Sequence, residues 1–161
     1  MRTKHAIRIH DILEALRIYF NCNKALIVEY HNGGTNLTGL SFKHMSATYE
    51  SNALGEEDMA SDFTKTPLTL HPMFMKDLEK TDCLYINIED NVKTYQSLCQ
   101  TLKRRNVVDA VAVPLYGIHE PIGFILLMSN EPKVLQEEDK TEIHREAQKI
   151  ANLLDFQRSD K

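Results

Sequence analysis

The pattern of apolar residues along this 161-residue chain predicts an α+β domain, a single mainly antiparallel sheet flanked by N- and C-terminal helices. Three observations carry that expectation. Apolar residues recur at helical spacing near both ends. Two continuous apolar runs, 109–116 and 122–129, are joined by the hairpin-length stretch Gly117-Ile118-His119-Glu120-Pro121. Finally, Gly33-Gly34 follows a strand-like run without the further glycine of a dinucleotide fingerprint, and no Walker lysine occurs, which excludes a doubly wound nucleotide fold. The whole chain, 1–161, reads as one domain of ordinary size, without repeat, linker or low-complexity tract.

The elements follow in order. Ile9, Ile12, Leu13, Leu16 and Phe20 mark a helix over 6–20 with charges on its other face, ended by Asn21-Cys22-Asn23. Residues 24–130 then hold the sheet and the pocket segments. Ala25 to His31 reads as a buried strand that stops at the turn signal Asn32-Gly33-Gly34. A second strand covers 37–49, and 51–66 is polar enough to be a loop or short surface helix, the least ordered part of the chain. Pro72 opens a short helix over 72–80, Cys83 to Ile88 is a strand, and Val92, Tyr95, Leu98, Cys99 and Leu102 mark a helix. Its end carries Lys103-Arg104-Arg105, which suits the negative pole of the helix dipole. The two strands at 109–116 and 122–129 are apolar on both faces and belong at the sheet's centre. The last helix, 136–156, has Glu137, Glu138 and Asp139 in its first turn. Ile143, Ala147, Ile150 and Leu154 follow along it as a coiled-coil-like seam.

Composition removes several function classes. A net charge of −4, from 19 basic and 23 acidic residues, is a poor match to the phosphate backbone, so no nucleic-acid partner is expected. No apolar run approaches the ~18 residues of a membrane span. The basic start Met1-Arg2-Thr3-Lys4-His5 leads into an amphipathic stretch rather than an apolar leader, so the expected location is cytoplasmic. Cys22, Cys83 and Cys99 are odd in number and form no CxxC, which argues for reduced thiols and against a zinc knuckle. No two of His31, His44, His71 and Cys83 have ligand spacing, so no metal is expected, and no cofactor is named by any motif. Catalytic signatures such as Gly-x-Ser-x-Gly or His-Glu-x-x-His are missing, and a non-enzyme is expected.

Two clusters stand out as candidate ligand contacts. His31-Asn32-Gly33-Gly34, with Asn36 just beyond, combines a near-neutral imidazole, an amide and backbone that a ligand can approach closely. The competing reading is a tight turn with a surface histidine. The second cluster comprises Phe42, His44, Ser46, Thr48 and Tyr49. Strand alternation puts His44, Ser46, Thr48 and Glu50 on one face, and Met45, Ala47 and Tyr49 on the other. A polar row of that kind can orient a ligand in an apolar pocket, or it can be the wet face of an edge strand. Met73, Phe74 and Met75 suit either a lid or core packing. His71 reads as a loop residue, His119 as exposed, and Cys99 as a buried structural thiol.

Val111-Ala112-Val113-Pro114-Leu115 followed by Pro121-Ile122-Gly123-Phe124-Ile125-Leu126-Leu127 resembles the paired strands of GAF domains, "vPl...g..iGvl.l". Asn130, a short loop and an acidic start to a long last helix complete the likeness, which is specific over 109–156. The segment from His31 to Glu50 also resembles phage-encoded GAF-like proteins. This GAF/PAS-like resemblance implies a sensory or regulatory module that binds an unidentified small molecule, with the pocket between the sheet and segments 31–50 and 71–80. It also implies a homodimer through the terminal helices, with Ile143, Ala147, Ile150 and Leu154 as the seam. A phage-encoded protein would sit in the host cytoplasm or the virion. Departures from the family are informative. Glu131 and Lys140 stand where cyclic-nucleotide GAF domains carry a lysine and an acidic pair, as a possible reversed clasp, and Cys83 is followed by Leu84 rather than the histidine of bilin-binding members. The alternatives are a structural or interaction protein, such as a phage component, that keeps the fold without a ligand, and a small thiol reductase. Large side chains from Phe42, Met45, Phe74 and Tyr85 closing the pocket would favour the first.

Overall fold

A computed structural model describes the backbone of residues 2–35 and 41–159, and the side chains of 4–31 and 43–159. Helix α1 (Arg2–Tyr19) leads into strand β1 (Lys24–Thr35), β2 (Ser41–Asn52) and the two-residue β3 (Thr66–Pro67). Helix α2 (Pro72–Leu78), β4 (Leu84–Asn87), α3 (Gln96–Arg104), β5 (Asp109–Tyr116), β6 (Pro121–Ser129) and α4 (Glu137–Ser159) follow. The strands form one sheet in the order β3-β2-β1-β6-β5-β4, with every pairing antiparallel. The expected fold class is therefore the observed one, with β1 and β6 at its centre.

Local chemistry explains where the helices stop. Asn21 takes a left-handed φ of 51° after α1, and Cys22 N donates to Arg17 O at 2.9 Å while Asn21 N donates to Ile18 O. Asn106, at φ 64°, ends α3 in the same way, with Val107 N donating to Leu102 O. Asparagine tolerates this conformation better than other side chains, and the paired bonds satisfy carbonyls that the helix leaves over. Gly123 solves a different problem. A Cβ there would stand 2.1 Å from Val28 O, so the family-like glycine of β6 is what allows β1 to pack beside it.

The sheet divides two cores. On one face Ile9, Ile12, Leu13 and Leu16 of α1 and Ile143, Ala147, Ile150 and Leu154 of α4 pack onto Ala25, Ile27, Val113, Ile125 and Leu127. Each of these large aliphatic side chains is worth roughly 1.5–3 kcal/mol when withdrawn from water. The expected intermolecular seam is thus the chain's own core: Ile143, Ala147, Ile150 and Leu154 are at most 2% exposed and present no surface to a second copy. The opposite face is covered by α2, α3 and the segment before β3. Met59 and Phe63, within the stretch expected to be the least ordered, are buried there against Met45, Phe74 and Phe124. Lys24, only 2% exposed, pins this stretch by donating to the Glu57 carbonyl and pairing with Glu56 at 3.9 Å. The reversed clasp expected between Glu131 and Lys140 is replaced by this one. Lys140 instead pairs with Glu137, one turn away on α4.

Candidate functional site

The two candidate clusters lie on one hairpin, but not as the pattern implied. Asn32, Gly33 and Gly34 do not turn the chain. They continue β1, with Asn32 opposite Lys43 and Thr35 opposite Ser41, because cross-strand pairing outweighs local turn propensity. Asn36 lies outside the described residues, as do the side chains of Asn32 and Phe42. The alternation along β2 also breaks. Ile27 pairs with Tyr49 and Val28 with Ala47, so Thr48 is a bulge residue that adds one step to the strand. Beyond it the faces exchange. Tyr49 packs with the α1–α4 core and donates to Gln157 Oε1 at 3.3 Å, while Glu50 Oε2 accepts from Met59 N at 2.6 Å on the opposite side.

His31, His44 and Ser46 are brought together. The two imidazoles stack across the strands at 5.9 Å, His31 Nε2 lies 2.9 Å from Ser46 Oγ, and that hydroxyl also accepts from Lys65 N. Nearby, Arg158 of α4 donates to Tyr30 O and faces Glu29 at 3.6 Å. The trio sits toward the loop end of the β1–β2 hairpin. None of the three cavities described next is lined by it.

Among the described residues, the expected pocket place, between the sheet and segments 31–50 and 71–80, holds a cavity of 120 Å³. Tyr30, Lys43, Met75, Glu79 and Tyr116 are among its walls. Burial pushes the Tyr30 hydroxyl well above its ordinary range. Met45 and Phe74, at 0% and 1% exposure, fill the space beside it, and Phe74 meets Phe124 edge-on at 5.3 Å. Tyr85 does not join them, being 46% exposed.

A larger cleft of 230 Å³ opens between α2 and α3. Its walls are Leu70, His71, Pro72, Met73 and Phe74 on one side and Lys93 to Leu98 on the other. His71, expected to be a loop residue, caps the start of α2 and is only 6% exposed. Its amide donates to Leu68 O, its carbonyl accepts from Met75 N, and its buried Nδ1 has no hydrogen-bond partner. Burial holds the imidazole below its ordinary pKa of 6.5, in the neutral form. Tyr95 donates to Asp77 Oδ2 at 2.5 Å across the cleft's floor, and burial, with that carboxylate, pushes the phenol up to about 12. Neither His71 nor Tyr95 was singled out as a site residue. The one local clue was a His-Pro pair at a helix start, and the burial itself comes from distant Phe63 and α3.

A cavity of 420 Å³ lies at the other end of the helical face, where the end of α1 meets the start of α4. Asp109 lines it, buried at 2% exposure, but both its oxygens are engaged, by Asn87 Nδ2 at 2.8 Å and Lys133 N at 2.7 Å. Cys22 lines it too. Burial raises the Cys22, Cys83 and Cys99 thiols, so all three are poor nucleophiles at neutral pH. Among the described residues no group of three or more His, Cys, Asp or Glu is placed to hold a metal ion, and no helix is long and apolar enough to cross a membrane.

No protein-family profile matches the chain, and no curated protein matches its sequence. Solved structures do match it over nearly its full length. GAF3 from Slr1393 of Synechocystis sp. PCC6803, in its photoproduct state, superposes with a TM-score of 0.71 at 12% identity, covering 96% of this chain and 95% of that one. The phycocyanobilin-bound GAF domain of a cyanobacterial phytochrome gives a TM-score of 0.71 at 13% identity, covering 99% and 94%. The red/green cyanobacteriochrome NpR6012g4, in its red light-absorbing state, gives 0.71 at 14%, covering 98% and 97%. The fold of this chain is that of GAF domains.

Proposed function

We propose that this GAF-fold chain is a non-catalytic sensory or regulatory module that holds a small molecule between α2 and α3. The observation that carries the reading is the 230 Å³ cleft with a buried imidazole in its wall whose Nδ1 is unpartnered. The cleft sets polar groups, His71, Lys93, Thr94, Tyr95, Gln96 and Ser97, beside the apolar Leu70, Pro72, Met73 and Phe74, and polar groups of this kind fix a ligand's orientation in a pocket. Some of the neighbours bind bilins, phycocyanobilin among them, but a bilin is a poor fit here. The cleft is too small for an open-chain tetrapyrrole, and Cys83 is followed by Leu84. The unpaired cysteines Cys22, Cys83 and Cys99 suit a reducing, cytoplasmic setting. Their raised pKa values weigh against the thiol reductase. A signal would leave through a partner or a second copy. Contact would use outward residues such as Ile7, Ile18, Tyr19 and Phe156, which are all more than half exposed.

The test is native mass spectrometry of protein taken from the cells that make it. The expected result is a co-purifying small molecule that is lost when Ser97→Phe fills the cleft. A bare mass from those cells would instead favour a second reading, a structural or interaction protein such as a phage component. That reading has its own support in Met45, Phe63, Phe74 and Phe124, which fill the face where a larger ligand would lie.

A further inference from the structure

We propose that the cavity where α1 ends and α4 begins is a second ligand site, one that takes a small, uncharged apolar molecule such as a fused pair of rings. It lies across the sheet from the α2–α3 cleft, so the inference goes beyond the function proposed above and does not depend on it.

The space and its walls suit an apolar guest. The cavity measures 420 Å³, whereas about 150 Å³ suffices for a benzene ring in an apolar protein cavity. The buried Val111, Leu127 and Ile143 close its back, and Phe20 and Leu135 stand half-buried at its sides. Tyr19 and Val134 rim its mouth at 70% and 83% exposure, so apolar surface runs from the interior out to solvent. The Tyr19 and Phe20 rings meet edge-on at 4.8 Å, an arrangement that a further ring can join.

The polar groups decide the class of ligand. Those of the interior are already served by the chain. Asp109 accepts from Asn87 Nδ2 and from Lys133 N. The Ser129 hydroxyl bonds the Cys22 thiol, which in turn donates to Phe20 O. Among the described residues, the buried side-chain atoms without a hydrogen-bond partner belong to His44, Asn52, His71 and Asn130, and none of these four lines the cavity. A polar head brought inside would lose its water and find no waiting partner. Charge selects neither sign. Lys133 shares the walls with Asp109 and Asp139, so an anion would meet two carboxylates and a cation the lysine. What the cavity has left to offer is apolar surface, and withdrawing that surface from water favours an uncharged apolar guest. Such a guest touches α1 at Tyr19 and α4 at Ile143, and so ties the two helices together at one end of their packing.

The full chain, labelled with ¹⁵N, is titrated with naphthalene, 2-naphthoate and 2-naphthylmethylammonium. Naphthalene should shift the Phe20, Val111, Leu127 and Ile143 amides saturably and bind at least about tenfold tighter than either ion. Leu135→Trp places a fused ring of the protein's own in the space and should abolish that binding. Val134→Asp, at a position 83% exposed where substitution leaves folding intact, should weaken it several-fold. Either ion binding as tightly as naphthalene overturns the assignment of an uncharged guest. Naphthalene shifts that are absent, that persist unchanged in both variants, or that fall only on Gln96, Ser97 and Leu98 overturn the site itself, and the last of these outcomes would speak for the α2–α3 cleft instead.

Discussion

The two faces of the sheet bury comparable apolar surfaces by different means. On the helical face, α1 and α4 lay long rows of isoleucine, leucine and alanine on small and aliphatic strand residues. Opposite, the cover is assembled from short pieces: the turn at Ala60–Phe63, the seven-residue α2 and the nine-residue α3. Aromatic and methionine side chains, Met45, Met59, Phe63, Phe74, Tyr95 and Phe124, fill that face. Long helices with a periodic stripe cover most of a surface, and the 420 Å³ cavity on this face lies beyond the stripes, where α1 ends and α4 begins. Short elements meet at odd angles, and bulky, adaptable side chains are needed to span what lies between them. The second face carries the buried His71 imidazole, the raised Tyr30 and Tyr95 phenols and the α2–α3 cleft. A framework side and a proposed binding side share one sheet.

Leu154→Glu breaks the framework side. The side chain is fully buried in the chain's own core, so a carboxylate there should cost more than about 4 kcal/mol. The expected outcome is loss of the cooperative unfolding transition in circular dichroism. A folded protein of halved mass in light scattering would instead restore the intermolecular seam. Phe74→Ala probes the binding side. It removes contacts to Phe124 and Tyr95 and should cost about 3–4 kcal/mol in urea denaturation. Some of that cost should return if an added small aromatic fills the space.

The smallest effect sharpens the comparison through pH. Burial holds His71 below its ordinary 6.5, so the unfolded chain takes up the proton first. The stability tied to the neutral imidazole is complete above 6.5 and is lost as pH falls through the folded value. Urea midpoints measured at pH 7.5 and at successively lower pH should decline for the native chain. His71→Gln should decline less. An identical slope in the two proteins would show that His71 is not held neutral by its surroundings.

The framework side was legible in the sequence because its information is periodic. Ile9, Ile12, Leu13 and Leu16, or Ile143 through Leu154, state their face by spacing alone, and β5 and β6 announce interior strands by being apolar throughout, although the sheet's centre is β1 and β6 rather than β5 and β6. What spacing could not say is which partner covers a stripe, so a self-packed seam looked like an intermolecular one. The opposite side was poorly legible because its cover is assembled from short elements rather than periodic helices. Met59 and Phe63 are isolated apolar residues in a polar run, and His71 is one imidazole before a proline. Their burial is imposed by elements far away in the chain. Asn32-Gly33-Gly34 misled in the opposite sense. Its strong local preference for a turn yields to the ladder that β2 offers.

Thr48 contributes length to the fold more than chemistry. It is exposed, and its side chain enters neither core. Counting in twos along β2 keeps Met45 in step with one core, and only the extra step at Thr48 lets Tyr49 reach the other. Exchange of this threonine for another residue of similar strand preference should pass almost unnoticed. Its removal would put the two halves of the strand out of phase, and either Met45 or Tyr49 would have to abandon its core. The position works as a spacer in the frame of the strand, tolerant of spelling and intolerant of deletion.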